Sequence, residues 1–290
     1  MSTSNPITAT LIPGDGIGPE TVASTMQILD ALGSPFRWDV QQAGIAGVDV
    51  LGDPLPEQTL ASIRKHCLAL KGPLTTPVGG GFRSSNVRLR EAFELYANVR
   101  PAKTLIPGRF ENIDIVLVRE NLGGFYVAHE YYIPVGDDPK AVAVATGMNT
   151  RASSKRIARF AFEYALKNGR KKITVVHKAN ILKLLTGIFL DAAREVAKEY
   201  EGRVEMDDMI VDACAMQLVL IHGALICCSV PIDLVTFSLI KLQVLWAAWA
   251  WLLAPISVRT LLSLRRFMAL PQIFLAKGLL TQSPSYWRLP

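Results

Sequence analysis

The chain has 290 residues, half of them hydrophobic, with 31 Lys+Arg against 25 Asp+Glu and a formal net charge of +6. That length excludes a small disulfide-stapled scaffold and is enough for two domains with real cores. The charge does not read as a nucleic-acid footprint, because residues 221–290 hold six basic residues and one acid while residues 1–220 are near balance.

Four cysteines (Cys67, Cys214, Cys227 and Cys228) lack metal-ligand spacing and read as reduced thiols of a cytoplasmic protein. The start, MSTSNPITATLIPGDG, lacks the basic residues and apolar core of a signal peptide. Residues 7–12 predict a short apolar strand ended by Pro13-Gly14. Gly14-Asp15-Gly16-Ile17-Gly18-Pro19-Glu20 follows, then a helical pattern to about Leu32. Pro19 suits the first turn of that helix and Glu20 its positive end. The spacing G-x-G-x-G is not the dinucleotide fingerprint G-x-G-x-x-G, and a tight strand-to-helix turn explains it equally well.

Residues 67–71 predict a second buried strand, which runs into Gly72-Pro73-Leu74-Thr75-Thr76-Pro77 and Gly79-Gly80-Gly81. A glycine-rich loop at the carboxyl end of a strand is where α/β sheets bind ligands. A helix then begins near Ser84, with Ser84 and Asn86 in a first turn that can hold an anion. Arg83, Arg88 and Arg90 lie close by, Arg100 ends Tyr96-Ala97-Asn98-Val99-Arg100-Pro101, and Arg119 closes the apolar run 113–118. Arginine forks bind carboxylates bidentately. Arg90, Arg100 and Arg119, each at an element end, together point to a substrate with several carboxylates; any one alone reads as a solvated surface residue.

Tyr126 follows Arg119-Glu120-Asn121, where cationic neighbours can make a tyrosine a general acid, although a tyrosine in a β-type run is commonly a packing residue. Helix 154–167 and strand 171–176 lead to His177-Lys178-Ala179-Asn180, with a further helix to about Glu195. Lys178 at a strand end is either a proton relay or an ordinary exposed lysine. Asp207, Asp208 and Asp212 precede a short helix; Asp212 is either a ligand for a divalent metal or a helix N-terminal acid.

Five of these motifs, in order and with compatible spacing over about residues 5–220, resemble the β-decarboxylating dehydrogenases. They are Gly14-Asp15-Gly16-Ile17-Gly18-Pro19-Glu20, Ser84-x-Asn86-x-x-x-Arg90, Leu95-Tyr96-Ala97-Asn98-Val99-Arg100-Pro101, Arg119-Glu120-Asn121 with Tyr126, and His177-Lys178-Ala179-Asn180. That family includes isocitrate, 3-isopropylmalate, homoisocitrate and tartrate dehydrogenases. The polar pair Ser84 and Asn86 resembles the isocitrate type, since isopropylmalate enzymes carry apolar residues there.

The resemblance implies an α/β, two-domain fold, here incomplete at the C-terminus. Residues 1–101 would begin the large domain, residues 102–220 would form the small, dimerising domain, and residues 221–290 would be an aberrant tail. It further implies that Ser84, Asn86, Arg90, Arg100, Arg119 and Asn180 bind isocitrate or a related 2-hydroxy acid. Tyr126 would act as acid toward the enolate, and Lys178 would take the hydroxyl proton from across a homodimer with a shared active site. Asp212 would bind Mg2+ or Mn2+, and Ile12, Gly14 and Thr75 would contact the cofactor. The compact 106–113 connection resembles NAD-linked rather than NADP-linked relatives. Leu122-Gly123-Gly124 departs from the pattern, which places an acid after Asn121.

Beyond Leu220 the resemblance calls for GD-x-x-SD, a glycine-rich stretch and HGSAP, and none is present. A shifted frame, joining the last base of each codon to the first two of the next, recovers them. Trp246-Ala247 and Trp249-Ala250 then force Gly, and Trp251-Leu252 allows only Ala or Val. Phe267-Met268 allows only His or Tyr, Met268-Ala269 forces Gly, and residues 270–273 permit A-P-D. Residues 234–240 permit GDILSD. The tail is therefore expected to be a frameshift product and the chain as written to be inactive. A rival reading takes residues 242–256, apolar and rich in tryptophan, as part of a genuine tail on a membrane-associated or non-catalytic binding subunit; their length is short for a membrane span.

Overall fold

The computed structural model describes residues 6–103, 113–220, 227–230 and 272–275. They divide into two compact units between Leu95 and Tyr96. The segments in which a shifted frame is expected to recover the motifs, and the apolar segment 242–256, lie outside the described residues, apart from the strand at Gln272–Leu275.

The first unit runs β1 (Ile7–Ile12), α1 (Gly18–Ala31), β2 (Phe36–Val40), α2 (Ile45–Leu51), α3 (Glu57–His66), β3 (Leu68–Lys71) and α4 (Ser85–Ala92). β1 is central and parallel to both β2 and β3. Its Leu11 packs with Val22 and Leu70 on one face, and its Ile12 with Ala43, Leu55, Ile63 and Leu89 on the other. Burial on both faces is why a parallel strand reads as a continuous apolar run. β3 starts one residue later than the sequence predicts, because Cys67 closes α3 in the left-handed conformation at φ 57 and returns its N–H to Ile63.

The second unit runs β4 (Ala97–Lys103), β5 (Asp114–Glu120), β6 (Gly124–Val135), β7 (Asp138–Met148), α5 (Arg151–Lys167), β8 (Lys172–His177), α6 (Gly187–Ala197), β9 (Glu205–Ile210), α7 (Val211–Leu220) and β10 (Cys227–Val230). Its five-stranded sheet has the order β4-β5-β10-β8-β9, with only β4 antiparallel. Val116, Val118, Ile173 and Val175 meet α5 and α6 on one face. Ile115, Leu117 and Val176 meet Val211, Cys214 and Leu218 of α7 on the other. β6 and β7 form a separate two-stranded hairpin, and a further strand, β11 (Gln272–Leu275), lies antiparallel on β3.

Other elements also differ from expectation. α5 begins earlier because Thr150 caps it, accepting the Ser153 N–H at 3.1 Å. α6 begins only at Gly187, since residues 178–186 turn with Ile181 and Leu184 exposed and so offer no apolar face to bury. Asp207 and Asp208 lie in strand β9, which runs directly into α7, and Asp212 lies inside that helix rather than before it. Among the described residues no helix is long and apolar enough to cross a membrane.

Candidate active site

In the first unit the carboxyl ends of β1 and β3 touch. A Cβ on Gly14 would lie 2.2 Å from the Pro73 carbonyl oxygen, and one on Gly72 would lie 2.1 Å from that of Pro13. Asp15 fastens this junction. Its carboxylate accepts the Thr75 N–H at 2.8 Å and the Ala46 N–H at 3.2 Å, and its own N–H donates to the Pro73 carbonyl at 2.8 Å. Of the residues that the resemblance assigns to the cofactor, Ile12 is buried with its carbonyl accepting the Gly72 N–H, Gly14 sits at φ +84, and Thr75 is tied to Asp15.

Thr76 donates to the Ser84 hydroxyl at 3.1 Å, which links the glycine-rich loop to the start of α4. The Asn86 side-chain carbonyl is buried with no hydrogen-bond partner among the described residues. A buried acceptor in that state suits a donor brought by a ligand, such as a hydroxyl or a carboxamide N–H. Two neighbouring arginines are structural. Arg83 makes a double hydrogen bond to Glu91, and Arg88 pairs with Asp53 at 3.0 Å. Arg90 instead lies close enough to Lys71 to act on its charge.

Lys71 is a residue that sequence reasoning passed over, although a lysine ending the apolar run Leu68-Ala69-Leu70 was a signal. It is 2 % exposed and donates to the Gly72 carbonyl at 2.6 Å. Burial, and then the Arg90 charge, lower its pKa to about 8, with Asp15 opposing. The unfolded chain therefore holds this proton more tightly than the folded one. The stability penalty is fully present below pH 8 and is relieved as pH rises toward the ordinary lysine value. Lys71→Met is expected to be more stable than the parent at pH 7, with the gap narrowing by roughly 3 kcal/mol at pH 10.5. Urea unfolding of both proteins across that range measures it; a gap independent of pH would mean that Lys71 keeps an ordinary affinity for its proton.

In the second unit Asn98 stands opposite Arg119 on adjacent antiparallel strands, and Arg100 opposite Leu117. Opposed residues point to the same face, so Asn98, Arg100 and Arg119 share the α7 face of the sheet. Arg119, Glu120 and Asn121 are all buried. The Glu120 carboxylate takes the N–H groups of Leu122 and Gly123, so the acid that shapes this turn precedes Asn121. Burial holds Arg100 below the ordinary guanidinium range, and its Nε donates to the neutral Asn98 side chain at 3.1 Å. Among the described residues no carboxylate is paired with it.

Lys178 and Asp212 are brought together as an ion pair, with the Asp212 side chain largely exposed. Asp212 is thus in the first turn of α7 and has a partner, while Asn180 is exposed on the turn after β8. Tyr126 lies in β6, but its side chain is outside the described residues. The described residues contain no group of three or more metal-ligating side chains. Asp212 by itself does not make a divalent-metal site.

Residues 8–223 match the family model described as isocitrate/isopropylmalate dehydrogenase. The chain is 43% identical over 219 residues to "Isocitrate dehydrogenase [NAD] regulatory subunit 3, mitochondrial" of Arabidopsis thaliana, covering 74% of this chain and 56% of that protein. It is 39% identical over 221 residues to "Isocitrate dehydrogenase [NAD] catalytic subunit 5, mitochondrial" of the same plant, covering 75% and 57%. The crystal structure of isocitrate dehydrogenase from Methylococcus capsulatus superimposes with a TM-score of 0.76 at 47% identity, covering 81% of this chain and 68% of that one. The chain thus spans little more than half the length of the curated relatives it matches. The expectation of a cytoplasmic protein is corrected by these relatives, which are mitochondrial. Thiols stay reduced in a mitochondrial matrix as well as in a cytosol, so the cysteine reading does not separate the two.

Proposed function

The chain belongs to the isocitrate/isopropylmalate dehydrogenase family, and from that premise we propose that its site is built for the NAD-linked oxidative decarboxylation of isocitrate. The observation that carries this reading is Arg100, a half-buried guanidinium hydrogen-bonded to a neutral amide. Burying a charge is costly unless an opposite charge meets it, and a ligand carboxylate does so bidentately. In this reading Arg90, Arg100 and Arg119 hold the carboxylates, and Ser84 and Asn86 the polar remainder of the substrate. A polar pair at those positions favours isocitrate over isopropylmalate, whose branched alkyl group needs an apolar wall. Bound NAD supplies the hydride acceptor. Lys178 takes the proton from the substrate hydroxyl, and Tyr126 returns one to the carbon left by CO2.

The partner in this reading is a second copy of the chain, which receives Lys178 and Asp212. The hairpin supports it: Tyr131, Tyr132, Ile133, Val135 and Val142 are exposed on a two-stranded sheet, which is marginally stable without cover. Residues 221–290 are, in the same reading, encoded out of frame. The restored frame would supply aspartates to join Asp212 around a divalent cation, together with the cofactor loop.

Isocitrate binding to the full chain, followed by calorimetry, tests the substrate assignment. Arg100→Gln is expected to weaken binding by at least about tenfold, the scale of one charge-assisted pair, and isopropylmalate to bind more weakly than isocitrate. Unchanged affinity in Arg100→Gln, or a preference for isopropylmalate, would remove the reading.

A further inference from the structure

The turn that carries Lys178 is held from behind by residues with no role in the reading above. β8 ends at His177, which is 7 % exposed. Its Nδ1 accepts the Ala179 N–H at 3.0 Å. That leaves the ring proton on Nε2, which donates to Asp208 Oδ2 at 3.1 Å. The other Asp208 oxygen accepts from Arg194 of α6 at 2.8 Å. Burial alone would raise the Asp208 carboxyl, but the hydrogen bonds from Arg194 and His177 hold it below the ordinary carboxylate range. The connections therefore run from α6 through β9 and β8 to one backbone N–H of the turn. His177 is linked through Asp208 to α6 and Lys178 is paired with Asp212 of α7, helices that cover opposite faces of the sheet, so the two residues work from opposite sides. The Lys178 ammonium is gripped by Asp212 of α7, while its backbone is fixed through Ala179 by His177.

We propose that His177, oriented by Asp208 and Arg194, is a positioning residue that fixes the Lys178-Ala179-Asn180 turn and so sets where the Lys178 amine is presented. The functional weight of the clamp rests on the reading of Lys178 as a proton relay; the clamp itself does not.

A buried histidine at a strand end could instead matter only for packing, and two variants separate these roles. His177→Phe keeps the ring but offers Ala179 no acceptor. His177→Asn loses the ring, yet its side-chain oxygen can accept the N–H two residues on, the geometry of an Asx-turn. Hydrogen exchange at the Ala179 amide of the full chain is the readout. Protection is expected to fall about tenfold in His177→Phe, the scale of one lost hydrogen bond, and to stay within about twofold in His177→Asn. The rate of Lys178 acetylation, read by mass spectrometry, should rise about fivefold in the Phe variant alone, on the same scale.

Cys214, 1 % exposed in α7, should resist a thiol reagent in every variant and so reports that the unit is intact. If the Phe variant does not fold, Asp208→Ser removes the acceptor for Nε2–H and should cost Ala179 about threefold in protection. Wild-type protection in His177→Phe or in Asp208→Ser, or equal losses in Asn and Phe, overturns the clamp. The relay reading fails separately, if saturating isocitrate leaves Lys178 acetylation unchanged in the parent.

Discussion

Restoring the reading frame after Leu220 is expected to turn a chain that does not reduce NAD with isocitrate and Mg2+ into one that does, a gain on the order of 10^4-fold or more. The expectation rests on what residues 6–220 retain. Arg90 lies on α4, Arg100 on β4 and Arg119 on β5, Lys178 meets Asp212, and the glycine turn is tied to the Thr75 loop by Asp15. Among the described residues, however, there is no group of acids able to hold a metal. Single groups that move protons contribute about 10^2- to 10^4-fold each, so a chain without metal ligands and a cofactor loop is expected to show no measurable turnover. Two steps check this. Resequencing the coding DNA across the codons for Leu220 and Ile221 looks for the extra or missing base, and assay of both proteins, purified free of host enzyme, compares turnover. Turnover by the 290-residue chain itself would show that the tail is genuine and that hydride transfer needs none of the motifs recovered in the other frame.

The second large effect is structural and lies at the glycine junction. Gly14→Ala is expected to destabilise the first unit by about 4 kcal/mol, while Gly16→Ala, two residues away, costs about 1 kcal/mol. Both positions have positive φ, +84 and +59, so both carry the strain of an L-residue in the left-handed region. Only Gly14 faces backbone, with 2.2 Å to the Pro73 oxygen and 2.9 Å to the Gly72 carbonyl carbon, whereas nothing lies within 4 Å at Gly16. A methyl at Gly14 must push the β3 loop away. That movement breaks the bonds from Asp15 N–H to Pro73 and from Thr75 N–H to Asp15, each worth about 1 kcal/mol. Urea midpoints of the two variants measure the difference, and equal midpoints would show that the loop yields freely.

The two glycines also mark how far the sequence was legible. Strand, turn and helix at 7–32 could be read because β1 is apolar throughout and Pro19 and Glu20 sit where a helix start wants them. All of those signals are local. What Gly14 is for could not be read, because its constraint comes from Pro73, nearly 60 residues away and in no periodic relation to it. The same holds for Asp15 and Thr75. β9 escaped notice because Glu205, Asp207 and Asp208 are poor strand formers; Lys172 across the ladder at 2.7 Å and Arg194 from α6 supply the charges that let them sit there. The start of α6 was placed too early because Ile181, Leu182, Leu184 and Leu185 look helical, and only the fold reveals that two of them face solvent. Arg100 and Arg119 were legible as candidates for binding a carboxylate. Their common face was not, since it depends on the register of β4 against β5.

The place of β10 has a consequence for the order in which this protein can be made. Its four residues, 227–230, fall after the end of the family match at residue 223, yet they lie between β5 and β8, parallel to both. A chain leaving the ribosome presents β4, β5 and β8 well before that filler, and β9 only shortly before it. Until then β5 and β8 each expose a row of unpaired backbone groups, the kind of edge that recruits strands from other chains. The closing contact joins residues more than 100 positions apart, and such closures are slow. Closure of the unit at its centre therefore falls to a short stretch that the proposed reading places beyond the shift of frame.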